Sequence, residues 1–266
     1  MTLPRRSPLL TMMALIALAT LHRAAAAEPP SGNSDLRTVA EKSDFRSTAK
    51  HSEIVALLDA LAASNPLARR LDMGKSVEGR VIPMLVVADP PVASAEQARA
   101  AARAGKLVVL MLGNIHAGEV DGKEALPMIA RAVLANENAD AKKDGTPVSH
   151  ALLKDLVLVF APIYNTDGNE RFAKDHRPGQ DGPEEMGIRE NASGLDLNRD
   201  FIKLEAPETR ALVKAMNEWD PAIVIDTHIT DGSWHRYLIT YEGPKSPATN
   251  TGLLTFARDT MTPAIR

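Results

Sequence analysis

The sequence contains no cysteine, which excludes disulfide bonds and thiolate metal ligands. Any transition metal must therefore be held by histidine, aspartate or glutamate side chains. Aromatic residues make up only 4% of the chain, and the formal net charge is only -3. Because nucleic-acid-binding domains usually carry a clear excess of basic residues, this charge argues against a nucleic-acid partner.

Long apolar segments are also scarce, and the clearest one lies at the N-terminus. Arg5 and Arg6 precede an apolar stretch over residues 8–21, and three alanines follow at residues 25–27. This pattern predicts a secretory signal peptide over residues 1–27. The stretch is shorter than a comfortable membrane span, so we expect cleavage, no stable span afterwards, and a periplasmic or secreted protein. An uncleaved membrane anchor is the alternative.

The whole chain has the composition of an ordinary globular protein, with 44% hydrophobic and 24% charged residues. Residues 28–50 are polar and include Pro29, Pro30 and Gly32, which predicts a linker or an ordered surface arm. We assign residues 51–266 to one folded domain.

Within that domain, short β-branched-rich runs alternate with helical patterns. Nearly continuous apolar runs predict strands covered on both faces at residues 81–87, 107–112, 156–161 and 222–226. Helical spacing predicts helices over residues 52–63, 94–103, 119–134, 206–219 and 253–260. This alternation predicts an α/β fold, in which a mostly parallel or mixed, twisted sheet has helices on both faces.

Metal-binding residue types directly follow two of the predicted strands. His116 and Glu119 come after the run over residues 107–112, and His228 comes after the run over residues 222–226. Because ligands bind beyond the carboxyl ends of strands in open α/β sheets, we expect these three side chains to converge. Two histidines and one carboxylate are typical protein ligands of a catalytic zinc, whose fourth position holds water. The sequence therefore predicts one Zn²⁺ ion at this place.

These residues, together with four further motifs, resemble the zinc carboxypeptidase family. Residues 74–80 (GKSVEGR) look like the family's turn before a strand, and residues 165–168 (NTDG) resemble its NPDG turn. Residues 194–201 (GLDLNRDF) are similar to its GVDxNRNF pattern, and residues 207–210 (PETR) to a helix start in bacterial relatives. The similarity extends over about residues 51–241, and it implies the family's α/β fold.

The resemblance implies a role for each matching side chain. Asn198 and Arg199 would bind the terminal carboxylate of a peptide, since a guanidinium group holds a carboxylate through two parallel hydrogen bonds. Asp196 would accept a hydrogen bond from the first zinc histidine and fix its orientation. Arg189 would stabilise the negative charge that develops on the scissile carbonyl, with Arg177 as the alternative candidate.

By this resemblance, the protein would be a zinc metallopeptidase that removes C-terminal residues from peptides or peptidoglycan peptides with a free carboxylate. A cell-wall peptide amidase, a deacylase of N-acyl amino acids and a zinc-binding module without catalysis are the alternatives. The family's general-base glutamate lies well beyond the second zinc histidine, and the chain ends at Arg266, before that distance is reached. We therefore expect the fold to be incomplete at its C-terminus, and residues 1–266 alone to be inactive.

Overall fold

The computed structural model describes residues 35–135, 148–180, 182–230, 233, 235–236, 240–241, 243–244 and 246–265. The predicted signal peptide and residues 28–34 lie outside the described residues. The chain divides into two compact units, the first comprising residues up to His176 together with Gly182–His228, and the second comprising Arg177–Asp181 and Ile229–Arg266. Among the described residues, no helix is both long enough and apolar enough to cross a membrane.

The strands of the described residues are β1 (Ala68–Lys75), β2 (Val81–Val87), β3 (Leu107–Leu112), β4 (Leu156–Ala161), β5 (Ala173–Lys174), β6 (Glu185–Met186) and β7 (Ile223–Asp226). Five of them form a mixed sheet in the first unit, with the strand order β1-β2-β4-β3-β7. Strand β2 runs antiparallel to both β1 and β4, whereas β3 runs parallel to both β4 and β7. A separate antiparallel ribbon consists of β5 and β6.

Among its described residues, the first unit has the α-helices α1 (Val39–Lys42), α2 (His51–Ser64), α3 (Ala95–Arg103), α4 (Asp121–Ala135), α5 (Val148–Asp155), α6 (Thr166–Glu170) and α7 (Pro207–Trp219). A short 3₁₀ turn spans Leu197–Arg199. Pro207 occupies the first turn of α7, where its missing N–H has no helical acceptor to lose. The second unit contains α8 (Thr251–Phe256), a π-helical turn (Ala257–Met261) and α9 (Thr262–Ile265).

Alternate side chains of the strands point to opposite faces of the sheet, and helices cover both faces. On one face, the strands pack against α3 and α7; on the other, they pack against α2, α4 and α5. The predicted mixed sheet with helices on both faces is therefore confirmed. The first face is represented by Met84, Val86, Leu110, Val159, Leu212 and Trp219, and the second by Leu85, Val109, Phe160, Leu58, Leu126 and Leu153.

Strand β7 departs from the prediction that every strand is covered on both faces. Ile223, Val224 and Ile225 are 38%, 41% and 43% exposed. Among the described residues, β7 pairs only with β3, so in this part of the chain no strand covers its other side. The apolar run correctly indicated a strand, but an apolar run alone does not specify how many neighbours cover it.

The elements that the sequence did not predict as they occur include strand β1 and the start of α6. Strand β1 was missed because its sequence, ARRLDMGK, is mostly polar, and only Ala68 and Met73 within it are buried. Residues 165–168, predicted as a turn, form the N-cap and first turn of α6, because the side chain of Asn165 accepts a hydrogen bond from the Gly168 N–H.

Residues 35–50, which the sequence predicted as a linker or a surface arm, pack against α4. The buried carboxylate of Glu124 accepts hydrogen bonds from Ala40 N, Thr48 Oγ1 and Ala49 N, at 3.3, 2.8 and 2.6 Å. Arg131 adds two hydrogen bonds of 2.7 Å to the carboxylate of Glu41. Both contacts join this segment to the helix that directly follows the predicted metal ligands.

Candidate metal centre

The side chains of His116, Glu119 and His228, which we call the metal cluster, meet at the carboxyl ends of β3 and β7. Each offers one ligand atom, and these three atoms lie within 4.8 Å of one another. His116 Nδ1 is 2.9 Å from Glu119 Oε1, and the two imidazole rings have centroids 4.9 Å apart. The register of the parallel strands explains this convergence, since Leu112 pairs with Asp226 and the ligand residues follow both.

The metal cluster fits a divalent transition metal by the chemistry of its donors. Neutral imidazole nitrogen and carboxylate oxygen bind zinc at roughly 2.0–2.2 Å, so an ion can lie between atoms that are less than 4.8 Å apart. His116 and Glu119 are buried, whereas His228 is more exposed, which leaves the centre open on one side. Such a three-ligand site leaves a coordination position for water or substrate.

The loop that carries His116 and Glu119 is held by Asn114. This residue has a positive φ of 64°, and its buried amide donates to the carbonyl oxygens of Ala117 and Glu119, at 3.0 and 3.2 Å. Asparagine tolerates the left-handed conformation better than most residues because its short polar side chain can bond locally. The turn delays the start of α4 to Asp121, two residues later than the sequence predicted.

Gly122, in the first turn of α4, allows the segment before His228 to approach this loop. A Cβ atom at residue 122 would lie 1.8 Å from Thr227 Oγ1, a separation that no side chain can occupy. Thr227 in turn donates from both its backbone N–H and its hydroxyl to the Leu112 carbonyl, at 2.9 and 2.8 Å. The close contact between glycine and threonine therefore brings the end of β7 against the start of α4.

Asp196 connects His116 to Arg189. Asp196 Oδ1 is 3.1 Å from His116 Nε2, while Oδ2 accepts hydrogen bonds from Arg189 Nε at 3.0 Å and from Nη2 at 2.9 Å. Burial alone would raise the pKa of Asp196, but hydrogen bonds from His116, the Asn198 N–H and Arg189 outweigh it and lower that pKa. An ionised Asp196 favours a proton on Nε2 of His116, which leaves Nδ1 to face Glu119.

His228 has a carboxylate partner of its own, Asp226, which was not among the predicted site residues. Asp226 Oδ1 lies 2.8 Å from His228 Nδ1, and Asn198 Nδ2 lies 3.3 Å from His228 Nε2. The hydrogen bond to Asp226 outweighs partial burial and raises the pKa of His228. The signal for Asp226 was present in the sequence, as a carboxylate two residues before a candidate ligand at a strand end.

The three arginines that the sequence predicted as candidates for substrate binding or catalysis lie in different surroundings. Arg189 lies beside the metal cluster, with Nη1 3.5 Å from His116 Nδ1. Arg199 is exposed, and its Nη1 donates to the Asn198 carbonyl at 2.9 Å. Arg177, the alternative to Arg189, belongs to the second unit, and its Nε donates to Gln180 Oε1 at 3.2 Å. Arg189 is thus in contact with a predicted ligand.

An open α/β sheet with a cluster of two histidines and one glutamate at adjacent strand ends defines a candidate mononuclear metalloprotein. A sequence profile described as zinc carboxypeptidase matches residues 54–263. The chain belongs to the zinc carboxypeptidase family, as its motifs predicted.

The alignments to individual proteins have low sequence identity and cover only part of each chain. The chain is 34% identical over 174 residues to carboxypeptidase D of Mus musculus, an alignment that covers 59% of this chain and 12% of that protein. It is 27% identical over 169 residues to carboxypeptidase 2 of Trichophyton rubrum, covering 63% of this chain and 26% of that protein. A metallo-carboxypeptidase structure from Burkholderia cenocepacia is 21% identical, with a TM-score of 0.49, covering 70% of this chain and 42% of that one. The chain therefore spans about an eighth and about a quarter of the two curated relatives.

Proposed function

We propose that this chain carries the metal-binding and carboxylate-binding residues of a zinc metallopeptidase that removes residues from the C-terminus of peptides. The convergence of His116, Glu119 and His228, directly beside the Arg189–Asp196 ion pair, is the observation that carries this proposal. Membership of the zinc carboxypeptidase family supports both the choice of metal and the type of reaction.

The chemistry that a bound zinc supplies is a lowered pKa of its water and polarisation of the substrate carbonyl. Asp196 keeps the proton of His116 on Nε2, so that Nδ1 can serve as a ligand. Arg189 holds a permanent positive charge next to that ligand, where it would stabilise the oxygen of a tetrahedral intermediate. The two oxygens of Asp196 thus orient a metal ligand and an oxyanion donor together.

Asn198 and Arg199 are suited to hold the terminal carboxylate of the substrate. Asn198 Nδ2 lies 3.3 Å from His228 Nε2, a member of the metal cluster. Arg199, whose side chain is exposed, is the next residue in the sequence. A planar guanidinium group matches a carboxylate through two parallel hydrogen bonds. The substrates are therefore peptides with a free C-terminus, including peptides of peptidoglycan, and the predicted signal peptide supports their hydrolysis outside the cytoplasm.

The test compares a blocked dipeptide that ends in a free carboxylate with the same dipeptide as its amide, using the full-length gene product. We expect the free acid to be hydrolysed much faster, and Arg199→Ala to raise KM for it about ten- to a hundredfold, the cost of losing a charged hydrogen bond. Arg210→Ala is the matched control, because Arg210 is also exposed and also donates to backbone carbonyls, those of Leu204 and Glu205.

Equal rates on the acid and the amide would contradict carboxypeptidase activity. A KM for the free acid that is the same in Arg199→Ala and Arg210→Ala would remove Arg199 from substrate binding while leaving the reaction type in place.

A further inference from the structure

The turn that separates Arg189 from Asp196 is organised around one buried side chain, that of Asn191. Its Oδ1 accepts hydrogen bonds from the backbone N–H groups of Ser193 and Leu195, both at 3.0 Å. Its backbone N–H donates to the Leu195 carbonyl at 3.0 Å, which closes the turn. The side chain of Asn191 therefore determines the path of the chain from the arginine to the aspartate.

Asn191 is itself held by Glu208, a carboxylate in the first turn of α7 with no exposed surface. Glu208 Oε2 accepts a hydrogen bond from Asn191 Nδ2 at 3.2 Å, and Oε1 accepts one from the Val77 N–H at 3.3 Å. Burial raises the pKa of Glu208. Since a buried acid is costly to accommodate, its presence here calls for a role that an apolar side chain would not fill.

We propose that Glu208 and Asn191 are positioning residues that set the geometry of Arg189 relative to Asp196, and through Asp196 the orientation of His116. The link to catalysis rests on the proposed peptidase function. The contacts form one continuous series, in which α7 fixes the Asn191 amide, the amide fixes the turn, and the turn presents both members of the ion pair. Displacements of about 1 Å at a catalytic group can lower a rate on the order of a hundredfold.

Glu208→Gln is the informative substitution because it preserves size but cannot satisfy both contacts. Glutamine has one acceptor oxygen, so if that oxygen accepts from Val77 N, its amino group faces the amino group of Asn191. Adding Asn191→Asp restores a donor–acceptor pair with reversed polarity, while the new carboxylate still accepts from Ser193 N and Leu195 N. The double variant should therefore restore the hydrogen bond between residues 191 and 208 that the single variant loses.

Two readouts follow the proposed geometry. The first is the hydrogen-exchange rate of the His116 Nε2 proton, observed by NMR on ¹⁵N-histidine-labelled, zinc-loaded protein, which reports the bond to Asp196 without any need for activity. The second is kcat on the blocked dipeptide. In Glu208→Gln we expect faster exchange and a fall in kcat of about tenfold, with both values returning towards wild type in the double variant.

Asn65→Ala is the control for general loss of stability. Asn65 ends α2, where its Oδ1 accepts a hydrogen bond from Leu67 N at 2.9 Å and its Nδ2 donates to the Leu134 carbonyl at 3.0 Å, and neither partner belongs to the turns that contain Val77 and Asn191. We expect this variant to lower the melting temperature but to leave the His116 exchange rate and kcat unchanged.

The proposal is overturned if Glu208→Gln and Asn65→Ala lower stability alike and neither alters the exchange rate of His116. If the full-length wild-type gene product shows no peptidase activity, the peptidase assignment fails, but the exchange rates still decide the positioning role. Should Glu208→Gln not fold, Asn191→Ser replaces it, because serine retains an acceptor for the turn but does not reach Glu208; an unchanged exchange rate there also overturns the proposal.

Discussion

Each histidine of the metal cluster has a carboxylate on one of its ring nitrogens, Asp196 for His116 and Asp226 for His228. A carboxylate that holds one ring nitrogen fixes the tautomer and the rotation of the imidazole, and it leaves the other nitrogen for a metal. The two aspartates reach the cluster from different segments, one from the turn after residue 191 and one from the last position of β7. The ligand geometry is therefore specified by these neighbours as well as by the ligands themselves.

Asp226→Asn tests this arrangement at the second histidine. We expect zinc affinity at pH 8 to fall about ten- to a hundredfold, and the pKa of His228 in the metal-free protein to fall, because the bonding carboxylate raises it. Zinc affinity would be measured by chelator competition and the pKa by NMR titration. Asp220→Asn, at an exposed left-handed position just before β7, is the control and should change neither quantity. An unchanged zinc affinity in Asp226→Asn would contradict the orienting role.

Asn114 provides a second test at the scale of one residue. Asn114→Gly removes the two amide hydrogen bonds but tolerates the positive φ, whereas Asn114→Ala removes the same bonds and adds the strain of that conformation. We expect the alanine variant to be less stable than the glycine variant by about 1 kcal/mol in chemical denaturation. Equal stability of the two variants would show that the left-handed conformation is not maintained in solution.

At the level of elements, α4 joins the loop that carries His116 and Glu119 to the N-terminal segment, residues 35–50. It does so through two consecutive buried charged residues, Lys123 and Glu124. Lys123 Nζ donates to the Ala49 carbonyl and to Asn169 Oδ1, both at 2.6 Å, and lies 5.5 Å from the centre of the Phe172 ring. Glu124 accepts its three hydrogen bonds from the same N-terminal segment. The first turn of α4 is thereby fixed to residues 40–49 and to α6.

The buried Lys123 predicts a specific pH dependence of stability. Desolvation lowers its pKa from 10.5 to about 8, so between pH 8 and 10 the unfolded chain binds more protons at this residue than the folded chain does. Stability rises with pH wherever the unfolded state binds more protons. We expect the free energy of unfolding of the wild type, relative to Lys123→Met, to rise by about 2 kcal/mol from pH 8 to 9.5. Parallel profiles of the two proteins would contradict a lowered pKa.

The elements also show what the sequence could and could not predict. Strands β2, β3 and β4 were predicted within their observed limits because their apolar runs are buried by neighbours on both faces. Strand β1 was missed because an edge strand needs few apolar residues, and the exposure of β7 was missed because its composition resembles that of a central strand. Edge and centre differ in long-range pairing, which periodicity does not report.

At the scale of the molecule, the sequence identified the residues of the site more readily than the contacts that hold them. His116, Glu119 and His228 could be paired because parallel strands end at the same edge of a sheet. The roles of Asn191 and Glu208 were not predicted, because each depends on a hydrogen bond to a particular neighbour rather than on a motif. Buried polar contacts of this kind become visible only once the chain is folded.

The first unit brings the sheet, the metal cluster and the Arg189–Asp196 pair together in one compact body. The second unit contains short helices, and within it the Tyr241 hydroxyl donates to the Thr262 carbonyl at 3.2 Å. All residues to which we assign a role at the metal centre lie in the first unit. Metal binding is therefore the property of this chain that can be tested most directly.

Titration of the metal-free protein with Zn²⁺ under chelator competition is that test. We predict one tightly bound ion per chain, lost on His116→Ala and on His228→Ala. The ion should be retained in His176→Ala, which removes a histidine whose ring instead contacts the Met186 carbonyl. A wild-type chain that binds no zinc, or a His228→Ala variant that binds it as tightly as the wild type, would show that His116, Glu119 and His228 do not form a zinc site.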